Sequence, residues 1–203
     1  VGGERTSEGG IYVCLRAFDQ IGEVDPVSMS LRVGVAARWT DVVEKCESAG
    51  FCLGSRPSDL KSTVGSWIVS TAPGIGSYKY GTSKDNILNI NAVTADGLII
   101  EPGYDDIGAY MSGYNILQIF SGSEGTLGVV TEVTLKLSPL GAYKIAAYEF
   151  PDVASMGAAV NKLVHHASIK PYDISFCSAS KALIVAFQGS ADYIALEEAE
   201  TDA

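Results

Sequence analysis

Between Val129 and Leu137 the chain alternates Val129, Thr131, Val133, Leu135 and Leu137 with Val130, Glu132, Thr134 and Lys136. A period of two sends the two sets to opposite faces, so this segment predicts a strand. Trp39, Val42, Val43 and Cys46 instead fall at helical spacing and predict a helix over Trp39–Ala49, with Thr40 or Asp41 as its cap and Gly50 as its stop. Ahead of it, Ile11–Leu15, Ile21–Asp25 and Leu31–Val35 read as strands, the last two separated by a turn at Asp25-Pro26. Ile87–Thr94 and Leu98–Glu101 read as a strand pair across Ala95-Asp96-Gly97, because Asp-Gly accepts the positive φ of a tight hairpin. Leu53 to Tyr80 has little periodicity and predicts one short helix around Gly65–Thr71, and Tyr114–Ile119 predicts one or two helical turns. Pro139 breaks the pattern and a second unit follows. Its strands are Lys144–Phe150, Ile174–Cys177 and Ala182–Gln188. One helix carries Val153, Met156, Gly157, Val160, Leu163 and Val164, and a last helix starts near Asp192, in the order β-α-β-β-α.

Composition narrows the function classes. The 203 residues are 47% apolar and 19% charged, enough to bury a core and too apolar for a disordered chain. A net charge of -10 leaves no basic stripe to displace counterions, which argues against nucleic acid as a partner. No apolar run approaches the length of a membrane span, and no signal-peptide pattern opens at Val1. Cys14, Cys46, Cys52 and Cys177 fit neither a zinc site nor a dense disulfide framework, so buried free thiols in a reducing, cytoplasmic setting are expected. A Cys46–Cys52 bridge is sterically conceivable with nothing else to recommend it. His165 and His166 are neighbours, about 100° apart on a helix, and make a poor pair of metal ligands. No metal site is expected.

The 22 glycines change the picture, because many of them cluster where backbone can approach a ligand closely. Gly74-Ile75-Gly76 starts a dinucleotide fingerprint, but Lys79 stands where its third glycine belongs. Gly76 to Gly81 has the spacing of a phosphate loop, but Thr82 stands where the phosphate lysine belongs. What is left is three glycine-rich loops, residues 2–10, 54–81 and 121–128. Successive backbone N–H groups in such turns make anion-binding concavities without basic side chains. Tight turns alone would explain any one loop. Three in a small domain favour a phosphorylated cofactor.

Two long strings then carry a family resemblance. One runs Ser58-Asp59-Leu60-Lys61-Ser62-Thr63-Val64-Gly65-Ser66-Trp67, continued by Lys79-Tyr80-Gly81-Thr82-Ser83-Lys84-Asp85-Asn86 and Thr94-Ala95-Asp96-Gly97. The other is Gly122-Ser123-Glu124-Gly125-Thr126-Leu127-Gly128-Val129-Val130-Thr131-Glu132. Together they resemble the FAD-binding domain of the vanillyl-alcohol-oxidase (p-cresol methylhydroxylase) superfamily, in its branch of D-lactate dehydrogenases, glycolate oxidase FAD subunits and alkyldihydroxyacetonephosphate synthases. The resemblance runs from about Val1 to Phe176. It implies an α+β fold: residues 1–140 as an FAD-binding domain without its N-terminal subdomain, and 141–203 as the first part of a cap that forms the substrate side.

The resemblance also implies a site. Gly2, Gly3, Thr6 and Ser7 would form the pyrophosphate loop. Pro57, Ser58, Asp59, Thr63, Val64, Gly65, Thr71, Ala72, Gly74, Glu124, Gly125, Thr126, Gly128, Val129 and Val130 would make the other FAD contacts, mainly through backbone. For Glu124 the alternative is a side chain that pins its own loop. No histidine occurs in residues 2–10, so FAD is expected to be non-covalent. Some positions depart from the family: Ser66 replaces a common glycine, Pro73 sits in a small-residue turn, and Ser175 occupies a frequent arginine position. No catalytic base can be assigned. The implied activity is oxidation of a small 2-hydroxy acid such as D-lactate or glycolate. Its alternatives are an alkyldihydroxyacetonephosphate-synthase-like ether-lipid enzyme and a non-catalytic FAD-binding subunit. The partners left open are an electron-transfer or sister subunit and a second copy in a homodimer.

Overall fold

The computed structural model describes residues 9, 11–106 and 114–202, and the first sheet assembles around the segment that alternates most strictly. In chain order its elements are β1 (Ile21–Asp25), β2 (Ser30–Gly34), α1 (Trp39–Ser48), β3 (Phe51–Leu53), α2 (Val64–Ser70), α3 (Ser77–Tyr80), a 3-10 turn (Ser83–Asp85), β4 (Ile87–Val93), β5 (Ile99–Ile100), α4 (Ile116–Phe120) and β6 (Val129–Pro139). The sheet order is β1-β2-β6-β4-β5, and β3 pairs with the far end of β6. All pairings are antiparallel, and Val133 of β6 lies between Val33 of β2 and Ile90 of β4. Pro139 closes β6 opposite Phe51.

Leu31, Val33, Val133, Leu135 and Leu137 share one buried core with Trp39, Val42 and Cys46 of α1 and Val64, Trp67 and Ile68 of α2. Trp39 and Trp67 meet edge to face, with ring centroids 5.2 Å apart. Arg32, on the polar side of β2, fans out to Glu132, Glu101 and Asp105.

The second sheet is built from β7 (Ala142–Glu149), β8 (Asp173–Cys177) and β9 (Ala182–Gly189) in the order β7-β9-β8, with α5 (Val153–Val164) and α6 (Ala191–Asp202) beside it. Leu183, Val185 and Phe187 pack on Met156 and Leu163 of α5 and Ile194 of α6. The Asp152 side chain caps α5 by accepting from Ser155 N–H at 2.7 Å. The opposite face, with Tyr143, Ile145 and Ile184, is exposed.

Several sequence expectations are corrected. Residues 11–15 form no strand: they are mostly exposed, and among the described residues no neighbouring strand pairs with them. An apolar run becomes a strand only when an edge accepts its backbone groups. Arg38, not Thr40 or Asp41, is the α1 N-cap; Thr40 and Asp41 lie inside the helix and hydrogen-bond each other at 3.0 Å. The predicted α5 stripe holds at its centre, but Val153 and Val164 at its ends are exposed. The four cysteines are free, with Cys46 and Cys52 buried as expected and Cys14 and Cys177 exposed.

Candidate functional site

The loop 121–128 joins α4 to β6 and folds back onto the end of α2. Glu124 N–H donates to Val69 O at 3.1 Å. The Ser121 hydroxyl donates to Ile68 O and meets the Thr71 hydroxyl, both at 3.2 Å. Thr71 and Glu124 each adopt φ of +50°, a conformation side chains avoid, and Gly125 follows at +83°. Two non-glycine residues in this region store backbone strain, which in native structures concentrates at ligand-binding places.

The folded-back loop forms one wall of a cleft of about 400 Å³. Thr63, Gly65, Ser66 and Val69 line it from α2 and its entry, Glu124, Gly125, Gly128, Val129 and Val130 from the loop and β6, and Val35 and Ala36 from the end of β2. Its last wall is Tyr12 to Arg16. The fold thus brings together Thr63, Gly65, Glu124, Gly125, Gly128, Val129 and Val130 from segments some sixty positions apart.

The three glycines of the cleft have different causes. A Cβ on Gly65 would lie 2.7 Å from Val35 Cβ, and one on Gly128 2.7 Å from Val93 O, so packing against the sheet requires both. A Cβ on Gly125 meets nothing within 4 Å among the described residues. Gly125 is required by its torsion, and its open side is the kind of surface that a flat ligand can approach. Glu124 does not pin its loop through its side chain, which has no hydrogen-bond partner among the described residues; its N–H does the pinning.

Other expected contacts lie elsewhere or are already engaged. Val64 is fully buried, with its N–H on Ala37 O at 2.9 Å. Thr126 turns its hydroxyl to Ser123 O at 2.7 Å. Pro57, Ser58, Asp59, Thr71, Ala72 and Gly74 do not line the cleft. Asp59 accepts from Lys61 N–H at 3.0 Å within its own turn, Ala72 packs on the core, and Gly74 N–H donates to the Ser77 hydroxyl at 2.7 Å. Gly2, Gly3, Thr6 and Ser7 lie outside the described residues. The string from Lys79 to Asn86 is organised by the Asn86 side-chain amide, which donates to Tyr80 O, Gly81 O and Thr82 O.

The sequence reading missed Cys14 and Arg16 as cleft residues. The signal was the cation at the end of the apolar run 11–15, hidden once that run was read as a strand. Arg16 is the cleft's only cationic side chain among the described residues, and Thr63 and Ser66 add hydroxyls to apolar walls from Val35, Val69, Val129 and Val130. The Ser123 hydroxyl is enclosed in the same loop without a partner among the described residues. A small-residue surface with open Cβ space, a few hydroxyls and one cation fits part of a nucleotide cofactor. No group of three His, Cys, Asp or Glu able to hold a metal occurs among the described residues.

A family model described as an FAD binding domain matches residues 1–103. The chain belongs to the FAD-binding domain family. Within the family it is similar to the glycolate oxidase subunit GlcD of Bacillus subtilis, 32% identical over 91% of this chain and 39% of that protein. It is also similar to a D-lactate dehydrogenase of Anaerostipes hadrus, 30% identical over 68% of this chain and 29% of that protein. A solved alkyldihydroxyacetonephosphate synthase structure superposes with a TM-score of 0.79 at 22% identity, over 92% of this chain and 40% of that one. The chain thus spans about two fifths of the length of GlcD and of the solved synthase. The mixed α+β fold with antiparallel sheets is that of this FAD-binding family.

Proposed function

We propose that this chain is the FAD-holding part of an oxidoreductase that oxidises a small 2-hydroxy acid, glycolate or D-lactate being the first candidates. The cleft at Gly125 carries the reading: strained backbone and an open Cβ direction coincide with the string that most resembles the family. Bound FAD would supply the hydride-accepting chemistry. The chain's own residues would hold it, the cleft through Gly65, Gly125, Gly128 and the Thr63 and Ser66 hydroxyls, with Arg16 beside an anionic group. Pro57 to Asp59 and Thr71 to Gly74 would extend the contact, and Gly2, Gly3, Thr6 and Ser7 would complete the pyrophosphate end.

In this reading residues 1–140 are the FAD-binding part and 141–203 the first part of the cap, a division that the two separate sheets support. Four free thiols agree with a cytoplasmic setting. GlcD is by name a subunit, which supports a sister or electron-transfer subunit as partner over a homodimer. The second reading, an ether-lipid synthase, is favoured by the superposition on such an enzyme and disfavoured by Ser175.

FAD uptake tests the proposal. The purified chain should bind one FAD with a flavin absorption spectrum, and acid denaturation should release the flavin into the supernatant. Flavin retained on the precipitate would overturn non-covalent binding and direct attention to Cys14. A colourless protein that takes up no added FAD would refute the reading.

A further inference from the structure

A second cavity, of about 210 Å³, lies where the two sheets meet, and it shares no lining residue with the FAD cleft. Arg56 enters it from the loop after β3, Tyr143 and Gln188 from paired positions of β7 and β9, and Tyr172 from the approach to β8. Two polar groups there lack the partner their chemistry calls for among the described residues, and a buried hydroxyl stands beside them.

The first is Arg56. It is half-buried, yet among the described residues it pairs with no carboxylate. Its backbone N–H donates to Ile75 O at 3.1 Å, and its guanidinium stands near the Tyr172 hydroxyl, whose pKa its charge lowers. That leaves further donors of a planar fork suited to a carboxylate.

The second is Gln188, 8% exposed, whose Oε1 is buried without a partner while its Nε2 donates to Cys52 Sγ at 3.2 Å. Its main chain is fixed by Lys79 Nζ, which donates to Gln188 O at 2.7 Å, so the side chain has little freedom to escape. A buried amide oxygen without a donor is costly in a folded protein, which makes it a mark of something that normally pairs with it.

The third is Tyr172, 3% exposed and packed edge to face on Tyr143 and Tyr80. Burial, the largest influence, pushes its hydroxyl up to about 12 against the lowering effect of the Arg56 charge, so it keeps its proton and can donate. Glu47, exposed at the rim on α1, is the cavity's one opposing charge among the described residues.

We propose that this interface cavity binds a small 2-hydroxy carboxylate, with Arg56 and the Tyr172 hydroxyl holding the carboxylate and the Gln188 amide pairing with the ligand hydroxyl. A hydroxyl both donates and accepts, so it satisfies the free end of that amide. Arg56 directly precedes Pro57 to Asp59, the proposed FAD contacts, in the chain. The inference rests on the hydroxy-acid reading for its substrate class, and supplies the bidentate cation that the second sheet's segment lacks.

The test titrates glycolate, acetate and ethylene glycol into the FAD-saturated chain, followed by calorimetry or ligand-observed NMR, with FAD uptake and circular dichroism recorded for every variant. Glycolate should bind roughly tenfold tighter than acetate, and ethylene glycol should not bind measurably. Arg56→Gln should weaken glycolate and acetate alike by about ten- to a hundredfold, and Arg56→Lys by less, since it keeps charge without the fork. Gln188→Leu should bring glycolate down to the acetate level and leave acetate unchanged. No glycolate binding to the wild type, unchanged binding in Arg56→Gln or, should that variant not fold, in Arg56→Lys, or equal losses for both acids in Gln188→Leu would each overturn the proposal. FAD uptake without glycolate binding refutes this site alone. Glycolate binding with the expected pattern to a chain that rejects FAD refutes the flavin reading alone.

Discussion

Replacing Gly125 separates two roles that a glycine can have. The wild-type torsion is +83° and the position where a Cβ would stand is clear of atoms of the described residues to 4 Å. The folded chain therefore loses only torsional energy in Gly125→Ala, about 1–2 kcal/mol for a side chain in the left-handed region. For a chain of this length that lowers Tm by roughly 2–8 °C. Gly125→Val loses more because its branched Cβ is stiffer. Asparagine tolerates positive φ, so Gly125→Asn should unfold almost like the wild type. All three place a side chain in the cleft, and all three should weaken FAD on the order of a hundredfold, equivalent to about 2.7 kcal/mol. Gly128→Ala is the contrast: its Cβ would stand 2.7 Å from Val93 O, so it should lower Tm by disturbing β4 and β6. The assays are flavin fluorescence titration and thermal unfolding of the apo chain. Gly125→Asn with wild-type FAD affinity would show that the loop is only a turn, and would remove the assignment of this cleft.

The remaining predictions are less elaborate. Trp39→Ala should cost about 3–5 kcal/mol in urea unfolding, close to the whole stability of a small domain, because the ring is fully buried against Trp67. Its Nε1 has no partner among the described residues, so the loss is packing alone and Trp39→Phe should recover much of it. Iodoacetamide at neutral pH should label Cys177 first, since hydrogen bonds from Ser180 and nearby backbone lower its thiol pKa and enlarge the reactive thiolate fraction. Cys46, pushed up to about 12 by burial, should stay unlabelled even at pH 9 until the chain unfolds; early labelling would contradict the core described above. The FAD-loaded 203-residue chain should oxidise glycolate and D-lactate more slowly than about 1 s⁻¹ with a dye acceptor. His165 is turned to Asn161 O at 2.8 Å and His166 lies 3.4 Å from Glu200, so neither lines the Arg56 cavity as a base; faster turnover would show otherwise.

Local pattern determined much of this protein. The alternation of 129–137 became the central strand, the 153–164 stripe became α5 with the same bounds, and Asp96-Gly97 closed its hairpin with Gly97 at φ +85°. Each of these signals is a period or torsion preference that survives in any surroundings able to cover one face. The glycine strings were legible as a site for the same reason, since special torsions must be written into residue type. Tertiary structure decided the rest. Ile11–Leu15 has strand composition but finds no partner edge among the described residues, whereas Phe51–Leu53, too short to show a period, became β3 because β6 extends to meet it. Gly65 and Gly128 belong to packing and Gly125 to the open cleft, a distinction made only by what surrounds each Cβ. Arg56 and Gln188 are far apart in sequence and individually unremarkable. They become a pair because two sheets meet there and, among the described residues, leave one with a cation lacking a carboxylate and the other with an oxygen lacking a donor, and desolvation on folding is what gives those omissions their energy.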